Sequence, residues 1–291
     1  MHPHGAFAEK AGVTPRSWLF VPADSERKID KALASDADAI IFDLEDGVAP
    51  AQKAAAREML KRLPGRSNGP QWWVRINPLG SEYHSEDLKI IGVAGVHGIV
   101  LPKAESGADV VQLAHRTGNI PIHAIVTETA ASLFGLLSYR DPKSPLAAMS
   151  WGAEDLSAAL GASSKNDPSG ELSFTYRLAR SLCLAGAVAA GVQPVDGVFA
   201  DFRDDDGLRA EAEAARREGF TGKLAIHPAQ VPVINAAFTP SAEDISHAEQ
   251  IVAAFEAQPN AGVLSVGGKM VDRRHVVQAR RVLDRATRDR A

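Results

Sequence analysis

Three acidic residues follow an apolar run in the segment AIIFDLEDGVAP, which spans residues 39–50. They are Asp43, Glu45 and Asp46. An apolar run of this kind is typical of a buried strand, and carboxylates gathered at its end repel one another. The segment therefore predicts a place where a cation binds or where protons are transferred.

Other apolar runs also end in polar side chains. These residues are Arg75, Asn77, Lys103, Glu128, Asp155, Asp201 and His227. Barrels of parallel strands place their chemistry at the carboxyl ends of the strands. If these runs are strands of one barrel, their polar residues converge on a single mouth.

The elements that would position these residues are short apolar runs that alternate with amphipathic helical patterns. The runs are SWLFVPA, DAIIFDL, QWWVRIN, HGIVLPK, IPIHAIVTE, LAAMSWG, VDGVFAD and GKLAIHP. Eight strands alternating with helices is the count of a closed (β/α)8 barrel, whereas an open doubly wound sheet usually has fewer strands. We therefore predict a TIM barrel with a C-terminal helical extension.

We divide the chain into an N-terminal tail (residues 1–14), a catalytic barrel (15–257) and a C-terminal extension (258–291). The break is placed at AQPNAG, where turn-forming residues follow a helical pattern. The extension begins with a Gly-rich connection, AGVLSVGGKMVDRR, and ends in VVQARRVLDRATRDR, which predicts an amphipathic helix.

Composition excludes several classes of protein. Among 291 residues, 45% are hydrophobic and 23% charged, and no apolar run approaches the roughly 20 residues of a membrane span. The start lacks a secretory signal, and the single cysteine, Cys183, has no partner for an internal disulfide. A net charge of −4 argues against nucleic acid as a partner. We expect a cytoplasmic protein that acts on small molecules, without nucleic acid or membrane.

Glu128 and Asp155 are the candidate metal ligands. Taken alone, Asp155 is explained equally well as a helix cap, and Glu128 as a residue of a first helical turn. As a pair after adjacent strands, with Glu45 and Asp46 nearby, they form the hard oxygen site that Mg²⁺ prefers.

Arg75 is the most informative single residue, because a guanidinium within WWVRIN is costly to bury without a partner. Its planar fork suits a substrate carboxylate, and the alternative is a structural ion pair with one of the acids. His227 is a candidate substrate contact or a satisfied buried histidine. Lys53 is a candidate phosphate contact or a solvated helix residue.

Seven motifs, in order from Arg16 to the last helix, resemble the citrate lyase β-subunit-like family, which includes malyl-CoA and citramalyl-CoA lyases. They are RSWLFVPADSERKIDKAL, FDLEDGVAPAQKAAAR, WVRINPLGSEYHSEDL, GIVLPKAES, GAEDLSAALG, GKLAIHPAQV and GKMVDRRHVVQARRVL. The resemblance implies a Mg²⁺-dependent enzyme on a (β/α)8 barrel. It also implies Glu128 and Asp155 as metal ligands and Arg75 as the residue that grips the keto acid.

Further roles come from the same resemblance. Glu45 and Asp46 would hold metal-bound waters, and Lys53 matches a lysine of uncertain role. Asp272, in GKMVD, would be the catalytic acid/base, delivered from a neighbouring subunit of a homotrimer. Two departures, Ala23 and Gly267, stand where the family often has Gly and Asp, and they leave the substrate open.

Three functions follow as hypotheses. The first is a carbon–carbon lyase that cleaves or forms a short β-hydroxyacyl-CoA from an acyl-CoA and a 2-oxo acid. The second is a citrate lyase β-subunit that acts on an acyl-carrier-protein thioester. The third is a barrel that binds acyl-CoA without turnover, against which the presence of Arg75, Glu128, Asp155 and Asp272 together argues.

Overall fold

A closed barrel of eight parallel strands forms the centre of the first part of the chain. The computed structural model describes residues 14–63, 69–92, 95–141 and 143–288. The predicted tail, residues 1–14, lies outside these ranges except for Thr14. The strands pair in sequence order and β8 closes on β1, which confirms the predicted TIM barrel. They are β1 (Ser17–Pro22), β2 (Ala39–Asp43), β3 (Gln71–Arg75), β4 (Gly98–Leu101), β5 (Ile122–Val126), β6 (Leu146–Trp151), β7 (Gln193–Asp196) and β8 (Gly222–Ala225).

Helices connect successive strands, as parallel strands require. They are α1 (Glu26–Leu33), α2 (Lys53–Lys61), α3 (His84–Ile91), α4 (Gly107–Thr117), α5 (Ser132–Gly135), α6 (Ala153–Ala159), α7 (Phe174–Ala190) and α8 (Asp205–Glu218), and α9 (Gln230–Phe238) follows β8. In α1 and α8 the buried residues are apolar and the exposed residues are mostly charged, whereas α5 and α7 also expose large apolar side chains.

Every strand contributes at least one buried side chain to the barrel interior. The rings of Trp18 and Trp73 lie 4.9 Å apart between centroids, and His123 packs edge-on against Trp18 at 4.6 Å. Side chains two positions apart along a strand share a face. The residues that follow Ile41 and Trp73 on the interior face are therefore Asp43 and Arg75, at the carboxyl ends of β2 and β3.

The seventh strand differs from its predicted position. The run VDGVFAD predicts a strand ending at Asp201, but β7 ends at Asp196, and Asp201 is exposed in the following loop. Asp196 is fully buried and pairs with the buried Lys223 of β8 at 2.9 Å and with Arg180 of α7 at 2.8 Å. These ion pairs fix the end of the strand earlier than the hydrophobic pattern suggests.

Contacts divide the chain into two compact units, residues 1–235 and 236–291. The second unit contains α10 (Ala242–Ala257), β9 (Val263–Val266), β10 (Lys269–Asp272) and α11 (Arg273–Arg288). It has its own apolar core, to which Ile251, Phe255 and Val271 contribute. The boundary between the catalytic barrel and the C-terminal extension, placed at 257/258 from the sequence, stays a prediction.

The Gly-rich connection of the second unit is a β-hairpin. Val266 pairs with Lys269, so Gly267 and Gly268 form a two-residue turn, and both have positive φ (58° and 78°). Such turns need positive φ at both positions, which glycine adopts without strain. The predicted amphipathic helix follows as α11.

In the described ranges, no helix combines the length and hydropathy that a bilayer crossing needs. The cytoplasmic location stays a prediction.

Candidate active site

Arg75 and Asp43 form the base of the candidate site. The register between β2 and β3 places these residues opposite each other, above the interior core. Arg75 donates from Nε to Asp43 Oδ1 at 2.7 Å and from Nη2 to Asp43 Oδ2 at 2.6 Å. Burial would raise the pKa of Asp43, but Arg75 and the backbone N–H groups of Glu45 and Gly47 hold it below its ordinary value. The structural ion pair considered for Arg75 is thus present.

Glu45 connects this pair to the next strand. Its carboxylate lies 2.9 Å from Arg75 Nη1 and accepts from Lys103 Nζ at 2.5 Å. Burial raises the pKa of Glu45, while the charges of Arg75 and Lys103 partly offset that effect. Glu45 is therefore shared between the cations that follow β3 and β4.

Glu128 is a buried acid of the site with a raised pKa. It is 4% exposed, and its Oε2 accepts from the backbone N–H of Lys103 at 2.5 Å. Burial raises its pKa to about 8, and repulsion from Glu45 and Asp155 adds to the effect. α5 begins only at Ser132, so Glu128 is not a first-turn residue of that helix. A desolvated carboxylate among other carboxylates is suited to a cation.

Asp155 and Asp46 complete the acidic cluster. Lys103 Nζ lies 3.3 Å from Asp155 Oδ1 and 3.2 Å from Asp46 Oδ2. The N-cap of α6 is Gly152, so Asp155 lies inside the first turn and is not the cap. Lys103 therefore touches both predicted metal ligands, Glu128 through its backbone and Asp155 through its ammonium.

The loop after β2 is held from below by Lys53. This lysine is 6% exposed, and its Nζ donates to the carbonyls of Leu44 and Glu45 at 2.8 Å and to Asn77 Oδ1 at 2.9 Å. An ammonium has three donors, and these contacts use all of them. Lys53 thus positions the loop that carries Glu45, and a substrate contact stays a prediction.

His227 lies in a different environment from the acids. Its side chain is exposed, and its ring stacks on Phe202 at 4.7 Å between centroids. It lines a cavity of about 410 Å³ together with Lys31 and Pro232 of the first unit. The buried-histidine alternative is therefore not what the structure shows, and a substrate contact stays a prediction.

Asp272 belongs to the second unit and has contacts of its own there. Its Oδ2 accepts from Nε and Nη2 of Arg274, at 2.9 and 2.6 Å, and its Oδ1 lies 2.8 Å from His275 Nδ1. Oδ1 also accepts from the backbone N–H of Arg274, so Asp272 caps α11. Hydrogen bonds from Arg274 and His275 hold the pKa of Asp272 well below its ordinary value.

The residues present fit a divalent cation. Within the described ranges, the cluster has two more carboxyl groups than cationic side chains, an excess of negative charge that would match Mg²⁺ once Glu128 is ionised. The acids are Asp43, Glu45, Asp46, Glu128 and Asp155, and the cations are Lys53, Arg75 and Lys103. The same ranges contain no group of three or more His, Cys, Asp or Glu residues arranged around a metal position. Two carboxylates would therefore hold the ion, and water or substrate oxygens would supply its remaining ligands.

Beside the acids lies a cavity of about 370 Å³, lined by Glu45, Asp46, Lys53, Tyr83 and Lys103 among others. This size suits a small organic acid or part of a larger ligand.

Lys103 is the residue to which sequence reasoning gave no role. A lysine directly after a strand was the only available signal, because its contacts cross the mouth to residues far away in sequence.

Two family models of known proteins match this chain, and both describe lyases. A family model described as HpcH/HpaI aldolase/citrate lyase matches residues 16–228. A second, described as a C-C bond lyase of the TIM-barrel fold, matches residues 171–288.

Relatives and solved structures cover nearly the whole chain. The (3S)-malyl-CoA thioesterase of Cereibacter sphaeroides strain KD131 is 38% identical over 275 residues, covering 93% of this chain and 94% of that protein. CitE from Mycobacterium tuberculosis, solved with magnesium, acetoacetate and coenzyme A, is 38% identical with a TM-score of 0.82, covering 96% and 99%. The citrate lyase beta subunit of M. tuberculosis, complexed with oxaloacetate and magnesium, is 39% identical with a TM-score of 0.71, covering 79% and 98%.

These matches confirm the resemblance carried by the seven motifs, and magnesium is a ligand of the solved relatives. Because one family model covers most of the chain and the relatives match it almost end to end, the chain belongs to the HpcH/HpaI aldolase/citrate lyase family of lyase enzymes.

Proposed function

We propose that the protein is a Mg²⁺-dependent carbon–carbon lyase that cleaves or forms a short β-hydroxyacyl-CoA from an acyl-CoA and a 2-oxo acid. The observation that carries the proposal is the convergence of Glu45, Glu128 and Asp155 with Arg75 at the carboxyl ends of neighbouring barrel strands. One relative solved with coenzyme A and magnesium, and another solved with magnesium and oxaloacetate, which is a 2-oxo acid, support the same ligand classes.

Glu128 and Asp155 would hold the metal, with Glu45 and Asp46 orienting its waters. Bound Mg²⁺ would supply Lewis-acid stabilisation of the negative charge that develops on oxygen. A bound cation would stabilise the ionised form of Glu128, which burial and the neighbouring acids both oppose.

Arg75 orients the 2-oxo acid. Its guanidinium is fixed by two hydrogen bonds to Asp43, so little ordering remains when a carboxylate binds beside it. Phe20 packs against the guanidinium at 4.7 Å from its ring centroid and limits its movement further. Arg75 keeps its charge at every physiological pH.

Asp272 transfers the proton. In cleavage, the β-hydroxyl of the substrate loses its proton to solvent water and becomes a carbonyl as the bond between the α and β carbons breaks, and the protonated Asp272 carboxyl donates a proton to the α carbon of the resulting thioester enolate. In condensation, the same carboxylate removes that proton from the acyl group. A carboxylate held by Arg274 and His275 is a weak base, so the proposed transfer requires that Asp272 first lose its contact with Arg274.

We further propose a homotrimer in which Asp272 serves a neighbouring subunit. Among the described residues, Phe134 of α5 and Leu178 and Leu182 of α7 are large, apolar and exposed, with Phe134 at 91%. Leu178 and Leu182 are four residues apart and so share one face of α7, and an exposed apolar face of this kind is typical of a subunit contact.

The test is incubation of the purified protein with Mg²⁺, acetyl-CoA or propionyl-CoA, and a panel of 2-oxo acids, with condensed thioesters detected by mass. We expect one pair to give a product that disappears in Glu128→Gln and in Asp272→Asn. No product with any pair, from a folded and metal-bound protein, would reject the free-CoA lyase. It would favour instead the acyl-carrier-protein thioester of a citrate lyase β-subunit, or the barrel that binds without turnover.

Hydrolysis of a malyl-CoA-like thioester is a second candidate, because a relative that covers 93% of this chain is a (3S)-malyl-CoA thioesterase. Here water attacks the thioester carbonyl, and the products are a free acid and the CoA thiol. A thiol reagent distinguishes the two reactions, since hydrolysis releases free CoA and the lyase reaction releases an acyl-CoA. Release of thiol without a 2-oxo acid would favour the thioesterase.

A further inference from the structure

Lys103 has an unusual backbone for its residue type. Its φ is 53°, in the left-handed region that side-chain-bearing residues rarely adopt. This conformation directs its N–H to Glu128 Oε2. Strained backbone at a non-glycine residue persists only where surrounding contacts hold it, and it gathers at functional sites.

The Lys103 ammonium is bound by three carboxylates. Nζ lies 2.5 Å from Glu45, 3.2 Å from Asp46 and 3.3 Å from Asp155. These acids come from the loop after β2 and from α6, so one side chain joins two walls of the mouth. The side chain of Lys103 is 28% exposed, whereas Glu45 is 3% exposed. The contact is therefore shielded from water on one side and is stronger than a surface ion pair.

A divalent cation that binds Asp155 would share that carboxylate with the ammonium, which already lies 3.3 Å from Asp155 Oδ1. Two cations cannot share one carboxylate at short range without repulsion. Lys103 must therefore give up Asp155, or remain close to the metal at an electrostatic cost. Either outcome makes metal binding weaker than the carboxylates alone would allow.

We propose that Lys103 is a built-in counter-ion that competes with the divalent cation for the acidic cluster and thereby sets its metal affinity. The inference rests on the proposed metal site at Glu128 and Asp155. Without metal, the ammonium holds the repelling acids together. With metal, it yields at least Asp155 and stays paired with Glu45.

The experiment is calorimetric titration of the full chain with Mg²⁺, comparing wild type with Lys103→Met. The matched control is Lys89→Met, which removes an exposed lysine paired with Glu86 on α3. We expect Lys103→Met to bind Mg²⁺ about tenfold more tightly, because an opposing charge and a competitor are both removed. Lys89→Met keeps the wild-type affinity.

Thermal melting without metal gives a second readout. We expect Lys103→Met to melt at a lower temperature than wild type, since it lacks the internal counter-ion. We also expect Mg²⁺ to raise the melting temperature of Lys103→Met by more than that of wild type. Lys103→Gln keeps a hydrogen-bond donor without the charge, and it is expected to show the same tighter binding if the methionine variant does not fold.

Unchanged or weaker Mg²⁺ binding in both neutral variants would overturn the inference. Glu128→Gln separates this failure from that of the site itself. If Glu128→Gln loses Mg²⁺ binding while the Lys103 variants gain nothing, only the counter-ion role is wrong. If Glu128→Gln binds Mg²⁺ like wild type, the metal site and the inference both fail.

Discussion

At the scale of single residues, Gly152 decides where the Glu128 carboxylate lies. A Cβ at Gly152 would come within 2.7 Å of Glu128 Cγ and 2.9 Å of its Oε1, while the backbone there (φ −125°) suits any residue. We expect Gly152→Ala to displace Glu128 and to weaken Mg²⁺ binding about tenfold or more, measured by titration calorimetry. Gly92→Ala, where a Cβ meets open space, is the control. Equal affinities for the two variants would contradict this role of Gly152.

His123 couples protonation to stability within the barrel interior. It is fully buried between Trp18 and Ser150, and burial lowers its pKa from 6.5 to about 3. Between about pH 6.5 and 3, His123 is therefore protonated in the unfolded chain and neutral in the folded protein. Its contribution to the free energy of unfolding is fully present above pH 6.5 and is lost as the pH falls.

Between pH 7 and 5 this residue alone is expected to lower the free energy of unfolding by about 2 kcal/mol. His123→Gln keeps a donor for Ser150 and has no such proton, so its denaturant midpoint should fall less over the same range. Parallel pH dependence in the two proteins would exclude His123 as the source.

At the scale of elements, the loop between β2 and α2 depends on Lys53. Lys53→Met removes three buried hydrogen bonds, two of them to the backbone of Leu44 and Glu45. We expect the free energy of unfolding to fall by about 2–3 kcal/mol and the amides of Glu45 and Gly47 to exchange faster, as seen by hydrogen exchange of the substrate-free protein. Unchanged exchange in the variant would instead support a role in substrate contact alone.

Strand positions were largely predictable because apolar runs alternating with helical patterns are a local signal. The end of β7 was not, since Asp196 is fixed by Arg180 and Lys223, which come from other elements. The β9–β10 hairpin could have been predicted from its Gly267–Gly268 turn, but the short strands around it resemble a loop. The acids of the site were predictable from strand ends, whereas the contacts of Lys103 depend on how the barrel closes.

At the scale of the whole molecule, the candidate chemistry is divided between two units, each with its own core. The acidic cluster and Arg75 belong to the first unit, and Asp272 to the second. If Asp272 serves a neighbouring subunit, two inactive variants can complement each other within one oligomer. Glu128→Gln lacks the predicted ligand, and Asp272→Asn lacks the proton donor, although asparagine is still able to cap α11.

We expect the two variants, each inactive alone, to regain about one third of wild-type activity when they are co-expressed with different tags and purified as mixed trimers, because one of the three sites in each mixed trimer is complete. In such an oligomer, some sites combine an intact Glu128 from one subunit with an intact Asp272 from another. Mixing after purification, without subunit exchange, is the control and gives no activity. Because a subunit that used its own Asp272 would always lack one group or the other, inactive mixed oligomers would assign Asp272 to its own chain.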